Sequence, residues 1–190
     1  MVAGYLCVNE YAAIGFAVVS GFACYIGALV VAGVVAPLVR VLVSGSVKAR
    51  KYSVLSLMRL TKNGDNAWAF SSHGGVTTLL NLCSRDDEHE LIGLSCRALR
   101  NVIVVEEIKR FMIDEGAIST FINLIESRHE LVQIGSIECL QSFVLGDESV
   151  RNLVIKEGGV RKLVRVLDPK LNTSFKLKEI ASRAIENLCF

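Results

Sequence analysis

The chain has 190 residues, of which 52% are hydrophobic and 21% are charged, so it is long enough to bury a sizeable core. Its formal net charge is only +2, and lysine and arginine occur in no run longer than two residues, which argues against a disordered tail or a nucleic-acid-binding arm. The six cysteines show no paired short spacing. They predict reduced core residues of a cytoplasmic or nuclear protein rather than a disulfide framework.

Residues 1–32 form an apolar segment at the start of the chain. No charged side chain lies between Glu10 and Arg40, so Tyr11 to Ala32 is an uncharged run of 22 residues. As a single helix this run would be about 33 Å long, which is enough to cross a bilayer. The sequence leaves two interpretations open: a membrane anchor, or opening helices that are buried against the rest of the fold.

A ten-residue motif then occurs four times. The copies begin at Gly33, Gly74, Gly116 and Gly158, and their spacings of 41, 42 and 42 residues are typical of a stacked helical array. Counting from each glycine, the positions two, five, six, eight and nine residues later are apolar in every copy, and the seventh is always polar. This pattern predicts a short helix that is packed on most sides and has one outward stripe.

Each motif is expected to lie within a unit of three helices. Apolar pairs before the second, third and fourth glycines predict a preceding short helix, and the glycine permits the sharp turn between the two. A longer third helix follows. Near its end, a small residue is followed directly by an apolar residue, and a second apolar residue lies three positions after the first apolar one. The small residues are Ser56, Ala98, Cys139 and Ala184. Residues 33–190 are therefore predicted to form a helical repeat domain.

Such a unit of about 42 residues, closed by Arg-Ala-Leu-Arg-Asn-Val or Arg-Ala-Ile-Glu-Asn-Leu, resembles the armadillo repeat. The resemblance covers Gly33 to Phe190, with a first unit that lacks a clear opening helix. Within the family, the chain looks most similar to plant proteins related to the yeast vacuolar armadillo protein and to the armadillo tails of U-box ubiquitin ligases. The resemblance implies an all-α fold, a right-handed α-solenoid of stacked three-helix repeats.

The third helices of armadillo proteins line a concave groove that holds partners in extended form. The resemblance therefore implies a non-catalytic scaffold or adaptor for protein–protein interaction that binds an extended or helical partner segment in this groove. Two alternatives are a membrane-tethered armadillo adaptor and the substrate-recognition component of a ubiquitin ligase assembly. Because the chain has no U-box, ligase activity does not carry over.

The resemblance also points to candidate groove residues on the third helices. Asn101 and Asn187 occupy the position that bonds a partner's backbone in importin-α-like members, but Arg97 and Arg183 replace the tryptophan expected four residues earlier, which argues against binding of nuclear localisation signals. The arginines favour an acidic or phosphorylated partner segment. The full candidate set is Arg59, Arg97, Arg100, Asn101, Arg183 and Asn187.

The sequence predicts no catalytic, cofactor or metal site. His73, Cys83, His89 and Cys96 follow one another at intervals of 10, 6 and 7 residues, which is unlike a close chelating pair. No phosphate loop or nucleophile motif is present, so the chain is predicted not to be an enzyme. Nucleic-acid binding is not expected either, because acidic residues interrupt any continuous basic face.

Overall fold

The computed structural model describes residues 2–84 and 88–189, and within these ranges every regular element is a helix. In chain order the helices are α1 (Val2–Val19), α2 (Ala23–Val31), α3 (Val35–Ser44), α4 (Val47–Leu60), α5 (Gly64–Ser72), α6 (Gly75–Cys83), α7 (His89–Val102), α8 (Glu106–Asp114), α9 (Ala117–Leu124), α10 (Glu130–Val144), α11 (Glu148–Lys156), α12 (Gly159–Val166) and α13 (Phe175–Cys189). Met1 and Phe190, the outer ends of the two predicted segments, lie outside the described residues. The predicted all-α class is confirmed.

The helices form four units with two short helices and one longer helix each: α2 to α4, α5 to α7, α8 to α10, and α11 to α13. The third helices pack against one another in chain order, α4 on α7, α7 on α10 and α10 on α13. Helix α1 packs on the other side of α4, in the place of one more third helix. The result is the predicted right-handed α-solenoid of stacked three-helix repeats.

The first unit does have an opening helix, so the expectation that it lacks one is wrong. This helix is α2, and it was hidden because the whole stretch around it is apolar and gives no periodic contrast between inner and outer faces. The uncharged run Tyr11 to Ala32 is also not one continuous helix. A turn at residues 20–22 divides it between α1 and α2.

Among the described residues no single helix is both long enough and apolar enough to cross a bilayer. One pair of helical segments, Cys24–Val31 and Val35–Ser44, meets the length and composition criteria together, and the two segments are bent by 81° relative to each other.

The four motif glycines lie at the turn between the first and second helix of their units. Gly33, Gly74, Gly116 and Gly158 have φ angles of 71°, 72°, 78° and 83°. These values fall in the left-handed region, where a residue with a side chain is strained. The predicted role of the glycines as turn residues is confirmed.

The motif helices are packed as predicted, with one exception. Nineteen of the twenty apolar motif positions are buried or partly buried, and the polar seventh position is exposed in all four copies. Val164 is the exception, with 53% of its surface exposed, whereas its equivalents Val39, Leu80 and Ile122 are buried. The difference arises because the fourth unit is the last one described, so no further unit covers α12.

The third helices approach one another closely through small residues. The predicted small positions Ser56, Ala98, Cys139 and Ala184 are all buried. The buried thiols of Cys83 and Cys96 lie 3.9 Å apart, and Cys139 donates to the backbone carbonyl of Cys96 at 3.1 Å. These three cysteines are unbridged, as predicted for core cysteines, but Cys24 and Cys189 are exposed, so the expectation of a core position is wrong for those two.

Substitution of two glycines tests this close packing. A Cβ atom on Gly135 of α10 would lie 2.8 Å from the Cβ of Cys96, whereas one on Gly93 of α7 would come no closer than 3.4 Å to its nearest neighbour, the carbonyl oxygen of Leu131. Gly135→Ala should therefore lower the free energy of unfolding by about 1–3 kcal/mol, even though alanine favours helix. Gly93→Ala should leave it unchanged or raise it by up to about 1 kcal/mol. Urea unfolding would measure both, and the reverse order would contradict the close approach of α7 and α10.

Candidate functional site

The four third helices α4, α7, α10 and α13 pack side by side, and their exposed side chains are here called the groove face. The six predicted groove residues all lie on these helices or at their ends. What differs among them is how far each is already engaged in contacts within the protein.

Three of the four predicted arginines have partners within the protein. The Arg59 guanidinium donates to the backbone carbonyl of Ala17 on α1. Arg100 on α7 forms an ion pair with Glu138 on α10, with an N–O distance of 2.6 Å. Arg183 forms an ion pair at 2.9 Å with a carboxylate of its own helix, that of Glu179.

The two asparagines lie in different surroundings. The side-chain amide of Asn101 donates to the backbone carbonyl of Met58 on α4 at 2.7 Å. One N–H and the side-chain oxygen of Asn101 remain for other partners. Asn187, near the end of α13, lines a separate pocket together with Arg151.

Similar bonds connect successive third helices to one another and connect α4 to α1. Asn101 links α7 back to α4, Arg59 links α4 back to α1, and the Gln141 amide donates from α10 to the carbonyl of Ile180 on α13 at 3.2 Å. These side chains fix the spacing of the helices that form the groove face. Their structural role means that only part of the predicted donor set is free to contact a partner.

Arg97 differs from the other arginines because it is exposed and has no ion-pair partner in residues 2–84 and 88–189. It lines a cavity of about 400 Å³ between α7, α10 and the start of α13, here called the groove pocket. Arg100 lines the same cavity, so the structure brings these two predicted residues together. The apolar part of the lining consists of Leu94, Leu131 and Ile134.

The groove pocket contains a third cation, Lys176, that is absent from the sequence-based candidate set. A usable signal was present in the repeat alignment. Counting back eight residues from the small residues Ala98, Cys139 and Ala184 gives Glu90, Leu131 and Lys176, all of which line the pocket. The candidate residues that the family resemblance indicates all lie nearer the other ends of the third helices.

The carboxylates of the groove pocket are already neutralised. Glu90 forms an ion pair with Lys51 at 2.5 Å, and Glu138 forms one with Arg100. Arg97 and Lys176 have no carboxylate within ion-pair distance in the part of the chain that the structure describes. The pocket therefore carries two positive charges that the described residues do not compensate.

Within residues 2–84 and 88–189, no group of three or more histidine, cysteine, aspartate or glutamate side chains could hold a metal ion. The expectation that the chain is not an enzyme stays a prediction.

Known proteins resemble the chain in fold and, over one unit, in sequence. Residues 147–190 match the Armadillo/beta-catenin-like repeat family, and a comparison with curated proteins gives no match. The crystal structure of an engineered protein is 27% identical, with a TM-score of 0.82, and the alignment covers 94% of this chain and 72% of that chain. A designed armadillo repeat protein in complex with the peptide (KR)4 is 20% identical, with a TM-score of 0.84 and coverage of 94% and 74%. The armadillo repeats only protein from Plasmodium falciparum is 18% identical, with a TM-score of 0.80 and coverage of 94% and 79%.

The stacking of α4, α7, α10 and α13, the glycine turn inside each unit and the match over residues 147–190 agree with one another. The fold is therefore that of the armadillo repeat proteins, and the fourth unit of the chain also matches the armadillo repeat in sequence.

Proposed function

We propose that the chain is a non-catalytic protein-interaction scaffold whose groove face binds an extended acidic or phosphorylated segment of a partner protein. The observation that carries this proposal is the uncompensated positive charge of Arg97 and Lys176 beside an apolar pocket on the third helices. The designed armadillo repeat protein in complex with (KR)4 supports peptide binding by this fold. That peptide is basic, whereas the free charges of the groove pocket favour an acidic one.

A charge-reversal experiment tests this function. The probe is a peptide, the Glu-Leu probe, in which the sequence Glu-Ser-Leu-Ser occurs twice, and its binding is measured by fluorescence anisotropy. Reversing Arg97 and Arg183 to glutamate should weaken binding about tenfold, because the favourable charge at Arg97 becomes repulsive and a further negative charge is placed on the groove face at position 183. The loss should be largest at low ionic strength, where screening is least.

The matched control reverses Arg40 and Arg161 to glutamate. Both are exposed residues of second helices, α3 and α12, so the change in net charge is the same but lies away from the groove face. This control should bind the probe like the parent protein. Equal losses in both double variants, or an unchanged affinity of the Arg97 and Arg183 variant at low salt, would contradict binding by the groove face.

The proposal places the chain with plant armadillo proteins of the vacuolar and U-box-associated types, in the cytoplasm or nucleus. As a relative of the U-box-associated type, the chain would act as the substrate-recognition component of a ubiquitin ligase assembly whose catalytic domain is on another chain. The Arg-Ala-Leu-Arg-Asn-Val and Arg-Ala-Ile-Glu-Asn-Leu phrases that close α7 and α13 support the armadillo part of this placement.

A second candidate function, a membrane-tethered adaptor, is favoured by apolar side chains at the start of the array. Tyr11, Val18, Phe22 and Tyr25 are large and exposed on α1, α2 and the turn between them. Flotation of the full chain with phosphatidylcholine vesicles tests this candidate, and recovery of all the protein in the lipid-free fraction would reject it.

Deletion of residues 1–32 distinguishes an opening cap from a detachable anchor. Ala13 and Ala17 are buried, and the Arg59 guanidinium bonds to the Ala17 carbonyl, so removal of α1 would uncover a side of α4. We expect the truncated chain to aggregate, because an unprotected end of a repeat array exposes its core. Light scattering and circular dichroism would measure this, and a soluble, helical truncation would overturn the cap interpretation.

A further inference from the structure

We infer that the groove pocket is an anchor for one acidic side chain and for a large apolar side chain that lies two residues away in the same extended segment. This inference rests on the proposed binding of an extended segment by the groove face and specifies where that segment is held. It assigns the anchor to residues of α7, α10 and α13 rather than to the asparagine positions at the helix ends.

Two residues without side chains line the pocket. Gly93 and Gly135 let α7 and α10 pack closely beside it, since a Cβ atom on Gly135 would lie only 2.8 Å from the Cβ of Cys96. The cavity of about 400 Å³ lies within the range of pockets that bind small ligands. It has room for side chains of a partner but not for a folded domain.

Leu131 is the part of the pocket's apolar wall that the described residues leave uncovered. Leu131 is 67% exposed, although Ile134, one turn further along the same face of α10, is buried. Leu94 on α7 is half-buried and lines the same cavity. One exposed leucine is ordinary on a protein surface, but three adjoining apolar side chains in a depression favour an apolar ligand group.

The charge at the rim selects the second ligand group. Arg97 and Lys176 project from α7 and α13 into the lining of one cavity, whereas Lys48, another cation of the third helices, is ion-paired with Glu10 at 2.9 Å. A guanidinium can bind a carboxylate or phosphate through two parallel hydrogen bonds, and a lysine adds a mobile point charge. The pocket therefore favours an oxyanion beside an apolar group.

The geometry of an extended chain relates the two ligand groups. Alternate side chains of an extended segment point to the same side, so residues i and i+2 enter a surface pocket together. The expected motif is an aspartate, glutamate or phosphoserine, then any residue, then leucine or a similar apolar residue. The carboxylate and the phosphate share the oxyanion chemistry, and the experiment below separates them.

Binding of the Glu-Leu probe to single variants of the full chain tests the anchor. Lys176→Glu should weaken binding about tenfold, and because residue 176 lies in the first turn of α13, an acidic side chain there is compatible with the helix. Leu131→Ser should weaken binding severalfold through loss of apolar contact. Lys170→Glu, at an exposed position of the loop before α13, is the charge-matched control and should bind like the parent.

Changes in the probe give the complementary half of the test. Replacing both glutamates of the probe by glutamine should weaken its binding to the parent protein and should remove most of the difference in affinity between the parent and Lys176→Glu. Replacing both leucines by serine should do the same for the difference between the parent and Leu131→Ser. Replacing glutamate by phosphoserine should preserve or strengthen binding if phosphate is accepted. A loss of binding with phosphoserine would restrict the anchor to carboxylates.

The outcomes separate this inference from the proposed function. If reversing Arg97 and Arg183 weakens binding but Lys176→Glu and Leu131→Ser behave like Lys170→Glu, the groove face binds the probe and the anchor is wrong. If none of these variants changes binding, both the proposed function and the anchor are wrong. Circular dichroism spectra that match the parent would show that the variants are folded.

Discussion

Leu99→Asp is expected to abolish folding of the helical array. Leu99 is 0% exposed and lies on the inner side of α7, between its neighbours α4 and α10. Burial of an unpaired carboxylate there would cost several kcal/mol, which is comparable to the roughly 5–15 kcal/mol that stabilises a whole domain. Leu140→Asp, at a buried position of α10, should have the same effect.

Leu145→Asp is the matched control for these variants. Leu145 follows α10 and is 75% exposed, so the same chemical change should alter the free energy of unfolding by less than about 0.5 kcal/mol. Circular dichroism during urea unfolding would measure all three variants. A soluble and fully helical Leu99→Asp protein would mean that the inner face of α7 is wrongly assigned.

The repeated motif predicts most of the fold because the turn and the helix that it specifies depend only on residues close together in the sequence. A left-handed turn at Gly74 or Gly116 is readily adopted only by glycine, and the apolar spacing that follows has only one helical interpretation. Where the contrast between apolar and polar positions disappears, the prediction weakens. Helix α2 was missed for that reason, and the turn at residues 20–22 was not visible in a run of uniformly apolar residues.

The candidate site was only partly predictable because its chemistry depends on contacts between units. Sequence could place Arg97 and Arg100 on one helix. It could not show that Glu138, 38 residues beyond Arg100, pairs with Arg100, whereas Arg97 has no carboxylate partner among the described residues. It also could not show that the Asn101 amide already bonds the Met58 carbonyl. Such pairings depend on the register between adjacent third helices, which the spacing of the motifs fixes only to within a turn.

The second large effect is expected at Asp147, which caps α11 and holds a buried lysine. One carboxylate oxygen of Asp147 accepts hydrogen bonds from the backbone N–H groups of Ser149 and Val150, both at 3.1 Å. The other oxygen accepts from the Lys109 ammonium at 3.2 Å. Lys109 is only 6% exposed, so loss of this partner would leave a buried charge unpaired.

Asp147→Ala should therefore lower the free energy of unfolding by about 2–4 kcal/mol, through loss of the cap and of the ion pair together. Asp147→Asn keeps a capping oxygen and removes only the charge, so it should cost less. Combining Asp147→Asn with Lys109→Met should recover part of that cost, because no buried ammonium remains. Asn63→Ala, which removes the exposed cap of α5, is the cap-only control and should cost about 1 kcal/mol.

Acid titration separates the charge of Asp147 from its packing. The Ser149 hydroxyl, which donates to the Asp147 carboxylate at 2.7 Å, and the Val150 N–H, together with Lys109, lower the pKa of Asp147 from its ordinary value of 3.8 to about 2. A carboxyl group with a lowered pKa stabilises the folded state above its unfolded value, and this contribution is lost as the pH falls from about 4 to about 2. The loss should amount to at most about 2 kcal/mol. In Asp147→Asn this part of the acid sensitivity should be absent, so urea unfolding at pH 5 and pH 2 should show a smaller difference than in the parent. An equal difference between pH 5 and pH 2 in the two proteins would mean that ionisation of Asp147 does not contribute to the stability of the folded state.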